Sequence, residues 1–319
     1  MATKKMILDL DTGIDDAMAI AYAVGAPDVD LIGIIGSYGN VLVEQGGKNA
    51  LKILELLGAT DVPVYLGNGH SSTTDHFDVM PISAQIHGKN GIGEVELPEA
   101  KRQLETTSGV DFLIDAAKQY GKDLILVPTG PMTNLAEALE KAPEIADEIG
   151  NVTFMGGALT VEGNVTPYTE ANINQDPEAA NAVLTSPLKS TMVGLDVTMR
   201  TLLTRKETQQ WRDLNTKAGT AFADIVDYYI DAYEVTNGQL PGCALHDPLA
   251  VGVSLDPSFI TTLNLNMKVT TDEGTRGRTI GDQARLNDPE TNVTVGINVD
   301  ADRYLKTFMS YLTGLFAKH

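Results

Sequence analysis

The chain has one cysteine, Cys243, among 319 residues. No intrachain disulfide can form, and the cysteine usage gives no sign of an oxidising compartment. Cys243-x-x-His246 has half the spacing of a zinc site, but no second cysteine pair completes it, so structural zinc is not expected. Positive charge is also scarce. Lys and Arg number 23 against 43 Asp and Glu, a formal net charge of −20. Phosphate backbones and anionic lipid surfaces are held by basic patches, so neither nucleic acid nor a membrane is expected as a partner. A neutral or cationic substrate, or a bound metal cation, suits such a chain. No apolar run approaches the roughly 20 residues of a membrane span. The apolar stretch after Lys4 and Lys5 is only Met6–Leu8, too short for a signal-peptide core, so a cytoplasmic protein is expected. There is a single tryptophan, Trp211.

What is present is length enough for a sizeable core, as one large α/β domain or two modest ones. With no repeat, linker or low-complexity tract, one domain over residues 1–319 is the simpler expectation. "KMILDL" reads as a strand and "DDAMAIAYAV" as a helix with Ala17, Ile20, Ala21 and Val24 on one face. "VDLIGIIGSYG", "VPVYLG", "DLILVPTG", "VTFMGG", "STMVGLDV" and "NVTVGINV" read as further buried strands. "EQGGKNALKILELLG" reads as a helix ending at Gly58, and "PMTNLAEALEKAP" as one opened by Pro131 near its first turn. Residues 203–235 read as two consecutive helices carrying Trp211, Tyr228, Tyr229 and Tyr233. Apolar runs without polar alternation, separated by helices, predict an open α/β fold. Its central sheet is mostly parallel, with helices on both faces. The polar segment 67–97, with His70, His76 and His87, has the character of a functional lid or a mobile loop.

The chemistry concentrates in "LDLDTGIDDA", residues 8–17, where Asp9, Asp11, Asp15 and Asp16 follow a strand and open a helix. Ligands of open α/β sheets bind beyond the carboxyl ends of strands. Helix capping accounts for one or two such carboxylates, not four. "DLDT" also matches the Asp-x-Asp-x-Thr signature of haloacid dehalogenase-like phosphatases, with Asp9 as nucleophile. That alternative leaves Asp15 and Asp16 unexplained, and the nearest late acidic pair, Asp282 and Asp288, has the wrong spacing. A third reading is a divalent cation held by oxygen ligands around the turn at Gly13, with Asp9 a supporting carboxylate inside the strand.

"ILDLDTGIDDAMAI" resembles the Asp-x-Asp-x-Gly-x-Asp-Asp signature of the inosine–uridine nucleoside hydrolase family. Four further segments agree in order: "GSYGN", "VPTGPMTNLA", "FMGGALTVEGNVTPYTEANINQDPEAA" and "LHDPLAV". The resemblance implies a Rossmann-like nucleoside hydrolase fold and a calcium-dependent N-ribohydrolase acting on small ribonucleosides in nucleoside salvage. It implies a cation held by Asp11, Asp16, the Thr129 main-chain carbonyl and Asp247, and a homodimer or homotetramer. Asp11 is expected as the base acting on water, Asp15 on a ribose hydroxyl, and Asn40 orienting water or ribose. Asn164 and Glu170 are expected at the 5′-hydroxyl, Asn172 on the 3′ side, and Met155 against the ribose. His246 is expected to protonate or orient the leaving base, with His87 near it. Tyr229 and Tyr233 are candidates for the base pocket, within a stretch 229–242 that should line it. Ala171 stands where many relatives carry an aromatic residue, and one tryptophan leaves no pair to sandwich a base. The missing aromatic wall leaves the substrate range open, and the lone tryptophan disfavours strict purine specificity, so a broad or pyrimidine-leaning range is expected.

Overall fold

The structure is a computed structural model that describes residues 3–236, 238 and 240–319. Its strands are β1 (Lys4–Leu10), β2 (Val29–Gly36), β3 (Val64–Leu66), β4 (Leu124–Pro128), β5 (Asn151–Met155), β6 (Ser190–Val193), β7 (Leu202–Leu203), β8 (Cys243–Ala244), β9 (Ile260–Leu265), β10 (Met267–Val269), β11 (Thr279–Gly281) and β12 (Val293–Val299). Eight of them form one sheet in the order β3-β2-β1-β4-β5-β6-β12-β9. Every pairing in it is parallel except β12 with β9, which runs antiparallel at one edge. β7 with β8 and β10 with β11 are separate two-stranded ribbons. The six apolar runs after β1 all become strands, so the mostly parallel open sheet expected from the sequence is the observed architecture. β9 was not anticipated. "ITTLNL" is mostly exposed, as an edge strand can be, and lacks the unbroken apolar run that marks the buried strands.

The first eight helices are α1 (Ile14–Gly25), α2 (Val43–Leu56), α3 (Pro81–His87), α4 (Gly109–Tyr120), α5 (Thr133–Lys141), α6 (Ile145–Glu148), α7 (Ala171–Gln175) and α8 (Pro177–Thr185). The remaining five are α9 (Leu195–Thr198), α10 (Arg205–Arg212), α11 (Lys217–Thr236), α12 (His246–Leu255) and α13 (Ala301–Phe316). The two helices expected over 203–235 are α10 and α11. Pro131 lies just outside α5 rather than in its first turn, because Met132 is the capping residue. The expected long loop over 67–97 contains a real helix, α3.

The single apolar stripe read for α1 understates its burial. Every residue from Ile14 to Ala23 is buried, because α12 and α13 pack against α1 in addition to the sheet. A helix apolar all round belongs inside the core. α12 is buried in the same way from His246 to Ser254. Two wholly buried helices therefore deliver their N-terminal aspartates into the interior, largely shielded from bulk water.

Strand order reverses at β1, with β2 and β3 on one side and β4, β5 and β6 on the other. That switch point opens a crevice at the carboxyl ends of the strands, the ligand position of open α/β sheets.

Candidate active site

The carboxyl ends supply the site directly. Asp11 follows β1, Ser37–Asn40 follow β2, Thr129 follows β4, Met155 ends β5, and α9 follows β6. Of these, Asn40, Thr129, Met155 and Leu195 line a cavity of about 550 Å³ together with Asp15, Glu170, His246 and Asp247, and Asp11 stands behind Asn40. A hollow of about 680 Å³ between α5 and α8 is larger but chemically quieter. Its Glu137 is matched by Lys141 and Asn68, and its Glu178 by Arg276.

Asp11, Asp15, Asp16 and Asp247 are all buried. Carboxylate oxygens of Asp15, Asp16 and Asp247 lie within 4.8 Å of one another. Asp16 accepts the Gly13 N–H at 2.7 Å and the Thr129 hydroxyl at 2.9 Å. Asp11 accepts the Asn40 backbone N–H at 2.8 Å and its Nδ2 at 3.1 Å. Two glycines make this approach possible. A Cβ on Gly13 would meet His87 Nδ1 at 2.6 Å, and one on Gly39, at φ +153°, would meet Asp11 Oδ2 at 2.0 Å.

Burial, then the charges of Asp16 and Asp15, holds Asp11 well above the usual carboxylate range. Burial and the Asp16 charge push Asp15 up to about 7. Asp247 is raised well above its ordinary value by burial and by the charges of Asp15, Asp16 and Asp11, while burial raises Asp16. No lysine or arginine lines the cavity. Asp15 Oδ1 is buried without a hydrogen-bond partner among the described residues. Buried carboxylates crowded without a counter-charge either take up protons or hold a cation. Hard oxygen donors on three elements, one with an orphaned oxygen, fit a hard divalent cation.

Of the residues expected to hold the cation, Asp16 and Asp247 fall in one group of close carboxylate oxygens, whose third member is Asp15 where the sequence placed Asp11. Asp11 lies against Asp16, with its carboxylate turned to Asn40. The Thr129 carbonyl accepts Asn172 Nδ2 at 2.7 Å and retains a second lone pair. Asp9 does not line the cavity. It is 1% exposed within the sheet, its Oδ1 takes Asn134 Nδ2 at 2.9 Å, and burial raises it to about 7. Asp9 is held inside the sheet by Asn134, and Asp282, the late acidic candidate, is bound to Arg285 beside a short surface turn, so it does not join Asp9. The phosphatase alternative is therefore set aside.

Beyond the carboxylates, Met155, Asn164, Glu170 and Asn172 form one wall. Glu170 is less free than the sequence suggested. It caps α7, accepting the N–H groups of Asn172, Ile173 and Gly157 at 2.9, 3.1 and 2.9 Å. Asn164 accepts the Ala171 N–H at 3.0 Å, and Asn172 Nδ2 also reaches the Met155 carbonyl at 3.3 Å. These groups brace the wall as well as facing the cavity.

The opposite wall comes from α3, α11 and the start of α12. Tyr229 donates to Asp15 Oδ2 at 3.3 Å, and Tyr233 Oη lies 2.7 Å from His246 Nε2. Both rings are largely buried, as helix aromatics commonly are, yet their hydroxyls turn to the cavity. Burial lowers His246 to about 4. His87 ends α3, accepts the Ile14 N–H at 3.1 Å and stands 3.9 Å from Asp15, and burial with the neighbouring His246 lowers it to about 3. Of the expected 229–242 stretch, Tyr229, Tyr233 and Thr236 line the cavity; Asn237 and Gln239 lie outside the described residues. Trp211 packs on Phe308 and Phe316, away from the cavity. His76 is exposed beside Asp75 and Asp78, and His70 bonds the Ser71 carbonyl. Sequence reasoning missed Thr198, whose hydroxyl is 2.8 Å from His246 Nδ1, and the apolar residues Met80, Ile82, Ile86, Leu195 and Met199. Nothing in their local sequence marks them.

The arrangement offers proton-accepting carboxylates at the floor, amide and carbonyl groups on one wall, and imidazole and phenol groups opposite. Comparison with known proteins agrees. The family model described as "Inosine-uridine preferring nucleoside hydrolase" matches residues 6–306. The chain is 36% identical over 316 residues to "Probable uridine nucleosidase 2" of Arabidopsis thaliana, covering 97% of both. It is 34% identical to the "Inosine-uridine preferring nucleoside hydrolase" of Crithidia fasciculata, covering 94% of this chain and 95% of that one. A solved "Purine-Preferring Ribonucleoside Hydrolase from Gardnerella vaginalis" superposes with a TM-score of 0.98 at 60% identity, covering 99% and 100%. This chain belongs to the inosine-uridine preferring nucleoside hydrolase family.

Proposed function

We propose that the protein hydrolyses the N-glycosidic bond of ribonucleosides, giving ribose and a free base, and that it depends on calcium. The observation that carries this reading is the group of buried carboxylates facing a cavity that no lysine or arginine lines. Asp16, Asp247 and the Thr129 carbonyl would hold the cation, with Asp11 and Asp15 completing the acidic shell. When bound, the cation makes water easier to deprotonate.

Asp11 accepts the proton of the attacking water, aimed by its two hydrogen bonds from Asn40. The water oxygen bonds to the anomeric carbon as the carbon–nitrogen bond breaks, and the bonding pair leaves with the base. Positive charge growing on the sugar ring is stabilised by the surrounding carboxylates. Asp15 takes a ribose hydroxyl, held from the other side by Tyr229. Asn172 and Met155 face the ribose, with Asn164 and Glu170 at its 5′ end. His246, Tyr233 and His87 face the base. No covalent sugar intermediate is involved, so the product sugar is inverted.

The base range is proposed to be broad, covering purine and pyrimidine ribonucleosides. The cavity's lining holds no tryptophan and has Ala171 beside Glu170, which speaks against a tight aromatic sandwich. The pyrimidine lean draws on relatives named for uridine at 36% identity. The purine-preferring relative at 60% identity pulls the other way and keeps purines within range. We further propose a single functional domain, a cytoplasmic role in nucleoside salvage, and assembly as a homodimer or homotetramer, which light scattering reads directly. The decisive experiment measures base release from inosine, adenosine, uridine and cytidine with calcium present. Release from both base classes is expected; release from none overturns the reading.

A further inference from the structure

Thr198 ends α9 and is fully buried. Its backbone is spent: the N–H goes to the Gly194 carbonyl, and its own carbonyl takes the Thr201 N–H. Its hydroxyl lies 2.8 Å from His246 Nδ1 and has no other hydrogen-bond partner among the described residues. The β-branched side chain is stiff, so the hydroxyl is aimed rather than free to search.

A buried hydroxyl needs an acceptor for its hydrogen. Nδ1 is the one on offer. If Nδ1 carried the ring proton, Thr198 would have to accept from it, and the threonine hydrogen would point at nothing. The accounting closes when Thr198 donates, Nδ1 accepts with its lone pair, and the single ring proton sits on Nε2. Nε2–H then meets Tyr233 Oη at 2.7 Å, and the phenol hydrogen is left to the cavity that Tyr233 and His246 both line. Thr198 lies outside that lining and has no such outlet. An arriving base takes the place of the phenol at Nε2.

We propose that Thr198 is a positioning residue for the departing base: by donating to Nδ1 of His246, it presents Nε2–H as a hydrogen-bond donor to the base as the glycosidic bond breaks. The inference rests on the nucleoside hydrolase reading above. It assigns His246 a hydrogen bond to the leaving group, not a net loss of its proton.

The test uses the calcium-loaded protein. Thr198→Val keeps the shape and removes the donor, while Thr198→Ser keeps the donor. On inosine, T198V is expected to lose about a hundredfold in kcat with little change in KM, and T198S to stay within about tenfold. On p-nitrophenyl riboside, whose leaving group departs without help, T198V should lose far less. Equal losses on both substrates, or an unchanged kcat on inosine, overturn the proposal. The imidazole nitrogen shifts of wild-type His246, assigned against a His246→Asn variant, give a reading independent of whether T198V folds. A proton on Nε2 supports the proposal, and a proton on Nδ1 overturns it. If the wild-type protein cleaves neither substrate, the nucleoside hydrolase reading fails instead, and the nitrogen shifts still judge the hydrogen-bond assignment.

Discussion

Two clusters of aspartate lie in this molecule and live in opposite surroundings. On the α10–α11 surface, Asp224, Asp227 and Asp231 face Arg205 and Arg212, with Arg212 at 2.5 Å from Asp224 and 2.8 Å from Asp227. Each acid there has a guanidinium to answer it, and water reaches the group. At the carboxyl ends of the strands, Asp11, Asp15, Asp16 and Asp247 are just as crowded, but they are buried and no lysine or arginine lines their cavity. Acid density alone therefore does not mark a site. The mark is acid density without its counter-charge, in a place largely shielded from bulk water.

The sharpest way to break the contrast is to remove charge from the buried cluster. Asp11→Asn should leave the protein folded and lower kcat on inosine by a factor on the order of 10² to 10⁴. Circular dichroism and a base-release assay together check it. Near-normal kcat would move the base assignment elsewhere, with Asp15 the first alternative.

Supplying or withholding positive charge comes next. Asp9 and Asp15 have folded-state values near 7, above their ordinary value of 3.8. Between those values the folded state binds more protons than the unfolded state. The stability this gives the cation-free protein is fully present below about 4 and is lost as pH rises towards 7. A bound cation offsets the loss by answering the ionised form. Calcium at a hundred times its Kd should stabilise the protein by about 2.7 kcal/mol at pH 8, and much less at pH 5, where the carboxyls of the free protein are protonated. Thermal melts with calcium and with a chelator, at both pH values, measure this. An equal effect at the two pH values would contradict the electrostatic account.

The smallest effect belongs to the surface cluster. Arg212→Ala should change stability by no more than about 1 kcal/mol, because its ion pairs are partly exposed and screened. Activity on inosine should not change. A large loss of activity would mean that the two clusters are coupled.

Much of this was legible in the sequence, for identifiable reasons. Apolar runs give parallel strands because both faces of such a sheet are covered; β4 and the Met6–Leu8 core of β1 are buried throughout, while β5 and β12 were readable although Thr153, Thr294 and Asn298 interrupt them. β9 escaped because an exposed edge strand need not be apolar. Among site residues, those in dense local motifs were readable, from Asp11 through Asp16 and from Asn164 through Asn172. Thr198, Ile82 and Met199 were not, because they reach the site from elements whose local sequence is unremarkable. Glu170 was found, but its engagement by three backbone amides was invisible until α7 was placed.

The sequence by itself determined the alternation of strand and helix, the family, and the aspartates at the end of β1, because periodicity and local motifs are carried by neighbours along the chain. Only the tertiary structure decided that Asp247 stands against Asp16, that Tyr229 reaches Asp15 across 214 positions, and that Thr198 meets His246. Those contacts depend on which helices end at the switch point of the sheet, and on the burial that leaves their charges unanswered.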